Sequence, residues 1–296
     1  MILDNESDYV RMASYIFIRD YRDRFGEGPS GVLYNRYMTL LNRELSSQGY
    51  DMKLPHCWYR WGDEVVRYGM SYLGWNHDDP RLTEVSYRGV VPKDIDDDDP
   101  MIHIINDFSK GFIDRYEGPE GVEIAIHEGC SDAPYVFLNE YRKLGESLKI
   151  SCKNVGFSNF KEHILSIFDN VMSSFPKELG SLRKQKEEYE SVFRMAVECN
   201  SSRDDLFELS KCFWFFFCYH LRLDDRCHEN VKNSTLDMWR DTITLEDSRY
   251  DQIIRTYAFL LHSDTYSDPT IDRMLREREE SLSDAEKILS ELKDMV

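Results

Sequence analysis

Apolar side chains recur every three or four residues along most of the chain, which is the period of an amphipathic helix. Over 6–25 the run Val10, Ala13, Ile16, Phe17 and Tyr21 lies on one face. GEGPSG then breaks the pattern. A second helix is expected over 30–47, opened by Pro29 and Ser30. Val32, Leu33, Tyr37, Leu40, Leu41 and Leu45 form its apolar face, and Gly49 gives it a left-handed end. From about 50 to 92 the helical period is lost. Pro55 and Gly62 oppose a long helix there; Asp63 is read as the cap of a short one reaching Tyr72. LTEVSYRGVV (82–91) alternates apolar and polar positions, as a strand does. DIDDDDP (94–100) is an acidic linker whose last aspartate suits the N-cap of the next helix. Beyond Pro100 the spacing predicts helices over 101–116, 119–129, 134–148, 160–173, 177–199, 204–229, 236–243 and 246–262, and from 269 onward.

These elements predict a mainly α protein. Residues 1–92 are expected to form a winged-helix-like N-terminal unit with a small β element. A helical extension over 93–150 packs on it, and a C-terminal helical domain over 151–296 completes the array. In a winged helix the second helix enters the major groove, which makes DNA binding through 30–47 an open reading. Asn35, Arg36, Thr39, Asn42 and Arg43 are its groove-compatible side chains, with Arg36 and Arg43 leading.

Charge narrows the partners. The net charge is −18, and surplus acid disfavours a general coat for phosphate backbones. Through Trp75 there are nine basic and ten acidic residues, against 28 and 45 afterwards, so any DNA contact belongs to the first part. Seven cysteines at irregular spacing, with no CxxC, suit reduced thiols better than a disulfide framework. The start MILDNESDYV is acidic where a secretory leader is basic and apolar, so a cytoplasmic location is expected. No apolar run approaches the ~20 residues of a membrane helix.

The stretch 54–75, LPHCWYRWGDEVVRYGMSYLGW, holds three of the five tryptophans. Large aromatics dominate small cores, so Trp58, Trp61, Tyr68, Tyr72 and Trp75 read first as wedges between layers. His56 and Cys57 would then sit at the core edge, with Asp63 capping a helix or pairing with Arg60 or Arg67. Aromatics and arginines also anchor protein interfaces, which makes Trp58, Arg60, Trp61 and Arg67 candidate binding residues. A metal reading of His56, Cys57 and His77, with Asp78 and Asp79 as oxygen donors, lacks the close ligand spacing that zinc favours.

The run from YNR (34–36) through LPHCWYRWGDEVV (54–66) and WNHDDP (75–80) resembles an uncharacterised archaeal family built around that aromatic core. The likeness extends from the first helix to about Leu148. The order helix, Gly/Pro break, helix, aromatic–glycine turn is similar to Panacea-type antitoxin domains, which neutralise toxins by direct contact. Here Gly62-Asp63 stands where Gly-Pro follows the aromatic in those domains. Neither resemblance implies a catalytic residue or a cofactor.

Away from this segment, FWFFFCYHLRLDDRCHEN (213–230) resembles the first aspartate-rich motif of class I terpenoid synthases, in which helical carboxylates hold Mg²⁺. Asp224, Asp225 and Glu229 would be the carboxylates of an Mg²⁺-dependent enzyme, but the second metal-binding segment such enzymes need is missing from DTITLEDSRYD (241–251). Cys212, Cys218, His220, Cys227 and His228 invite a metal reading, but Cys212 and Cys218, six apart on one helix, point different ways, and the cysteines read as buried thiols. A nucleophile elbow, a P-loop, a dinucleotide glycine fingerprint and HExxH are all absent. The leading expectation is a non-enzymatic binding protein, a regulator or antitoxin-like module acting on a protein partner, with no catalytic residue, cofactor or membrane.

Overall fold

Caps and breaks set the helices where the spacing places them. A computed structural model describes residues 8–67, 70–77, 80–90, 98–117, 119–131, 136–149, 157–262 and 269–277. It is mainly helical with small antiparallel sheets, as the hydropathy pattern predicts. The chain forms two compact units, one of Met1–Pro134 with Cys218–Asp241, the other of Tyr135–Phe217 with Thr242–Val296. The chain therefore leaves the first unit, returns to it, and leaves again, and each unit is built from more than one segment.

The first unit begins with α1 (Asp8–Phe25) and α2 (Gly31–Ser47). The opening of α2 is closed from three sides. Ser30 accepts a hydrogen bond from Leu33 N, while Gly31 N and Val32 N donate to the carbonyls of Thr83 and Pro80. Helix starts leave such N–H groups without intrahelical partners, and here a distant loop supplies them. Gly31 permits the approach: a Cβ there would lie 2.5 Å from the Trp75 ring and 2.9 Å from the Pro80 backbone. Gly49 takes the left-handed conformation (φ +86°) just past the end of α2.

Two short sheets follow. β1 (His56–Tyr59) pairs antiparallel with β2 (Gly62–Val65), and β3 (Leu73–Trp75) pairs with β4 (Val85–Tyr87). The strand expected over 82–91 is thus the three residues of β4. The short helix expected from Asp63 is instead β2. Tyr59 pairs with Gly62, so Arg60 and Trp61 form a two-residue turn, and Gly62 has φ +101°. Its glycine-only backbone, and Asp63 facing Trp58 across the ladder, commit the segment to a hairpin.

The unit continues with α3 (Pro100–Arg115), whose N-cap Asp99 accepts from Met101 N as the sequence suggests, and α4 (Pro119–Ser131). Its core is aromatic. Phe17 stacks on Tyr37 at 4.0 Å, and Phe112 meets both edge-on at 5.5 and 5.4 Å. All three are buried, and each side chain of this kind contributes about 1.5–3 kcal/mol on burial.

The second unit contains α5 (Phe137–Lys149), α6 (Phe157–Ser173), a 3₁₀ turn (Lys177–Leu182) and α7 (Arg183–Glu198). Most of α8 (Arg203–Leu221), the larger part of α9 (Asn233–Leu261) and the helical residues 269–277 complete it. Tyr189 stacks on Phe213 at 4.3 Å, Phe168 on Phe193 at 4.2 Å, and Phe216 on Tyr250 at 4.3 Å. Tyr141 donates to the Ser210 carbonyl at 2.7 Å and stands 2.8 Å from the Tyr189 hydroxyl. A carbonyl only accepts, so the single Tyr141 proton goes to Ser210 and Tyr189 donates to Tyr141.

Three helix readings differ from expectation, and the first, over 177–199, divides into the 3₁₀ turn and α7. The helix read over 204–229 stops at Leu221, because Asp224 folds back to accept from Arg226 N and its carbonyl accepts from Cys227 N. Such side-chain bonding draws the backbone out of a helix. The helices read over 236–243 and 246–262 are one, α9. Its helical backbone runs unbroken through the threonines that suggested a break, with Leu236, Trp239 and Ile243 buried along its first part and Tyr250, Ile254 and Ala258 along its second.

Candidate functional site

The hairpin of the first unit gathers most of the side chains singled out in the sequence. Residues opposite each other on a ladder share a face. His56, Trp58, Asp63 and Val65 lie on one face; Cys57, Tyr59 and Glu64 lie on the other. A third strand, β5 (His228–Glu229), pairs antiparallel with β1 and sets Glu229 beside His56.

On the first face Asp63 is the hub, with its side chain only 3% exposed. His56 Nδ1 is 2.7 Å from Asp63 Oδ1, and Arg43 Nη2 is 3.3 Å from Oδ2. His56 Nε2 lies 3.4 Å from Glu229 Oε2. Burial opposes a charge on His56, but Asp63 and Glu229 outweigh it and the imidazole pKa is raised above its ordinary value. Asp63 therefore pairs with Arg43 and His56, not with Arg60 or Arg67 as expected. The sequence interval of 20 residues between Arg43 and Asp63 carries no local signal of that contact.

The second face is hydrophobic and cationic. Cys57, Val66, Leu236 and Trp239 form a small core, with Tyr59, Leu223 and Val231 against it. The Arg222 guanidinium sits among three rings, 4.4 Å from Tyr219, 4.7 Å from Trp239 and 5.0 Å from Tyr59. Burial lowers the Arg222 pKa and pushes the Cys57 thiol well up. Burial also pushes the Glu64 carboxyl up to about 7, against the pull of Arg67 and the N–H of Trp61. A thiol held in its neutral form is a poor nucleophile.

Two further indoles, Trp61 in the hairpin turn and Trp75 on β3, remain half-buried, each covered by an arginine. Arg81 lies 4.2 Å above Trp61, and Arg67 lies 4.2 Å above Trp75. The Gly31 backbone that abuts the Trp75 ring also abuts Pro80, which precedes Arg81 in the chain. Leu82 follows at 67% exposure.

The remaining candidates separate. Trp58 is sealed at 6% exposure, in contact range of Gly62. Arg60 turns to Tyr59 and Tyr219, 4.9 and 5.9 Å from the ring centroids. Arg36 is buried with Nη2 3.9 Å from Glu128, which also takes ion pairing from Arg115. Asn35, Arg36, Thr39 and Asn42 are all buried within α2, so this fold does not offer them to a groove. The expected metal carboxylates do not converge. Asp224 is held by its own Arg226, Asp225 projects into solvent beside His228, and Glu229 belongs to β5. The four-residue spacing of Asp225 and Glu229 is not helical, because α8 has already ended. Among the described residues, no group of three or more His, Cys, Asp or Glu side chains is placed to hold a metal ion. Asp78 and Asp79, two of the expected oxygen donors, lie outside the described residues, as does Tyr68.

No family model, curated protein or solved structure matches the chain.

The functional reading accordingly rests on the geometry alone. In the second unit a shallow cleft is lined by Glu208, Lys211, Cys212, Glu246, Arg249 and Tyr250. Burial pushes the Cys212 thiol up to about 12, which keeps it in its neutral form. Among the described residues, no helix is long and apolar enough to cross a membrane.

Proposed function

We propose that the chain is a non-enzymatic binding protein, a cytoplasmic regulator or antitoxin-like module, and that its first unit engages a protein partner through its arginine-covered indoles, Trp61 and Trp75. The observation that supports this reading is the pair of half-buried indoles, Trp61 under Arg81 and Trp75 under Arg67, bordered by the exposed Leu82. Tryptophan and arginine are the residue types that most often anchor interfaces, and stacking fixes their side chains before a partner arrives. Buried Cys57 and the part-buried His56 and Glu64 are read as the support that holds the hairpin turn in place.

The test is a photoreactive phenylalanine at Leu82 in the full chain, expressed in its own cells, with Leu245 as the control position because it is equally exposed at 72%. A discrete protein adduct is expected at Leu82 and not at Leu245. Trp61→Ala should weaken its formation by roughly thirtyfold, the effect of an anchor worth about 2 kcal/mol. Equal adducts at both positions, or a Leu82 adduct indifferent to Trp61→Ala, would overturn the reading.

A further inference from the structure

His56 has a carboxylate at each ring nitrogen: Asp63 at 2.7 Å from Nδ1 and Glu229 at 3.4 Å from Nε2. Ionised carboxylates only accept hydrogen bonds, and a neutral imidazole carries one N–H. Only the imidazolium can donate to both. The two acceptors belong to different parts of the unit. Asp63 lies in the same hairpin as His56 and is braced by Arg43 of α2. Glu229 lies on the two-residue β5, in the connection between α8 and α9. The connection is otherwise tied to β1 by backbone pairing, by Trp58 N donating to Cys227 O at 2.6 Å, and by Asn230 Nδ2 donating to Leu54 O at 3.2 Å.

We propose that His56 is a proton-operated clamp: charged, it fastens β5 to β1 through Glu229; neutral, it keeps Asp63 and releases Glu229, loosening the pairing of β5 with β1. The buried Asp63 contact is the shorter and is fixed by Arg43, so the single remaining proton stays at Nδ1. The charged groups around His56 are Asp63 on β2, Glu229 on β5 and, behind Asp63, Arg43 on α2. His228 lies on the opposite face of β5 with Asp225 3.7 Å away, and does not face His56. The raised His56 pKa sets the direction of the switch. The clamp is complete below the ordinary imidazole range and is lost as pH rises through the raised folded value.

Hydrogen exchange on the full chain, corrected for intrinsic rates, reads the clamp at the Trp58 amide, with the Val66 amide as reference. Val66 N donates to Pro55 O beside the hairpin and does not involve β5. Between about pH 5.5 and about pH 8.5, protection at Trp58 relative to Val66 should fall roughly two- to fivefold, the effect of a partly exposed ion pair. Glu229→Gln, at a side chain 68% exposed, keeps the fold and should hold Trp58 at the weaker, pH-independent level. A wild-type Trp58 amide whose relative protection ignores pH would overturn the clamp. So would a Glu229→Gln variant that keeps the pH dependence.

Discussion

Asp63 accepts from His56 at 2.7 Å while Arg43 approaches its other oxygen at 3.3 Å, so one buried carboxylate joins β1, β2 and α2. Removing one partner of a buried ion pair is costly, because the other charge is left without compensation. Asp63→Asn should cost about 2–4 kcal/mol. The lower end applies if Arg43, 43% exposed, turns to water and His56 gives up its proton. The pH dependence should change as well. His56 has a raised pKa, so its contribution to stability is present below the ordinary imidazole range and lost as pH rises through the folded value. Urea denaturation at acidic and alkaline pH checks both, with the imidazole part of the slope reduced in the variant.

Gly62→Ala tests the hairpin turn. The glycine has φ +101°, and an added Cβ would lie 2.9 Å from the Gly129 carbonyl carbon and oxygen of α4. The positive φ alone costs on the order of 1–3 kcal/mol, and the backbone contact adds to it. Chemical denaturation should show a loss of about 2–4 kcal/mol, well above the few tenths expected at an open surface position.

In the second unit, Tyr141→Phe should cost about 1–2 kcal/mol, since it removes a second hydrogen bond to the Ser210 carbonyl and takes from the Tyr189 hydroxyl the oxygen it donates to. The ring is kept, and with it the stacking of Tyr141 on Trp214 at 5.1 Å. Urea denaturation followed by intrinsic fluorescence, to which Trp214 contributes, checks the loss. An unchanged midpoint would mean that water replaces the lost hydroxyl.

Local chemistry explains which of these features were legible in the sequence. Helices α1 to α3 announced themselves through apolar spacing and through caps that the structure keeps, Ser30 and Asp99 among them. The buried role of Trp58 was legible too, because an indole in a small unit is most stable inside. The hairpin was misread: Asp63 is a good helix cap in isolation, and only the pairing of Tyr59 with Gly62 makes it a strand residue. The Asp63 hub and the union of Glu229 with His56 were invisible, since they join residues 20 and more apart that no periodicity links. Arg36 looked like a surface cation because a sequence does not show that α2 buries it opposite Glu128, and the partner of the exposed Arg43, Asp63, was equally hidden.

Glu64 offers a final test, with a sign opposite to that of most carboxylates. It is held in its neutral form longer than usual, since burial pushes its pKa up to about 7 despite Arg67 and the Trp61 N–H. The folded state thus binds a proton more tightly than the unfolded chain does. This contribution is complete at acidic pH and declines as pH rises from the ordinary carboxylate range through about 7. Gln at this position cannot ionise and preserves an acceptor for the Trp61 N–H. Glu64→Gln should therefore match the wild type near the ordinary carboxylate range and be more stable at alkaline pH. The gain should be about 1–2 kcal/mol, reduced from the full linkage value because the carboxylate is partly exposed. Thermal or urea melts of the two proteins across that range decide it. Curves that stay parallel would show that Glu64 ionises freely in the folded protein.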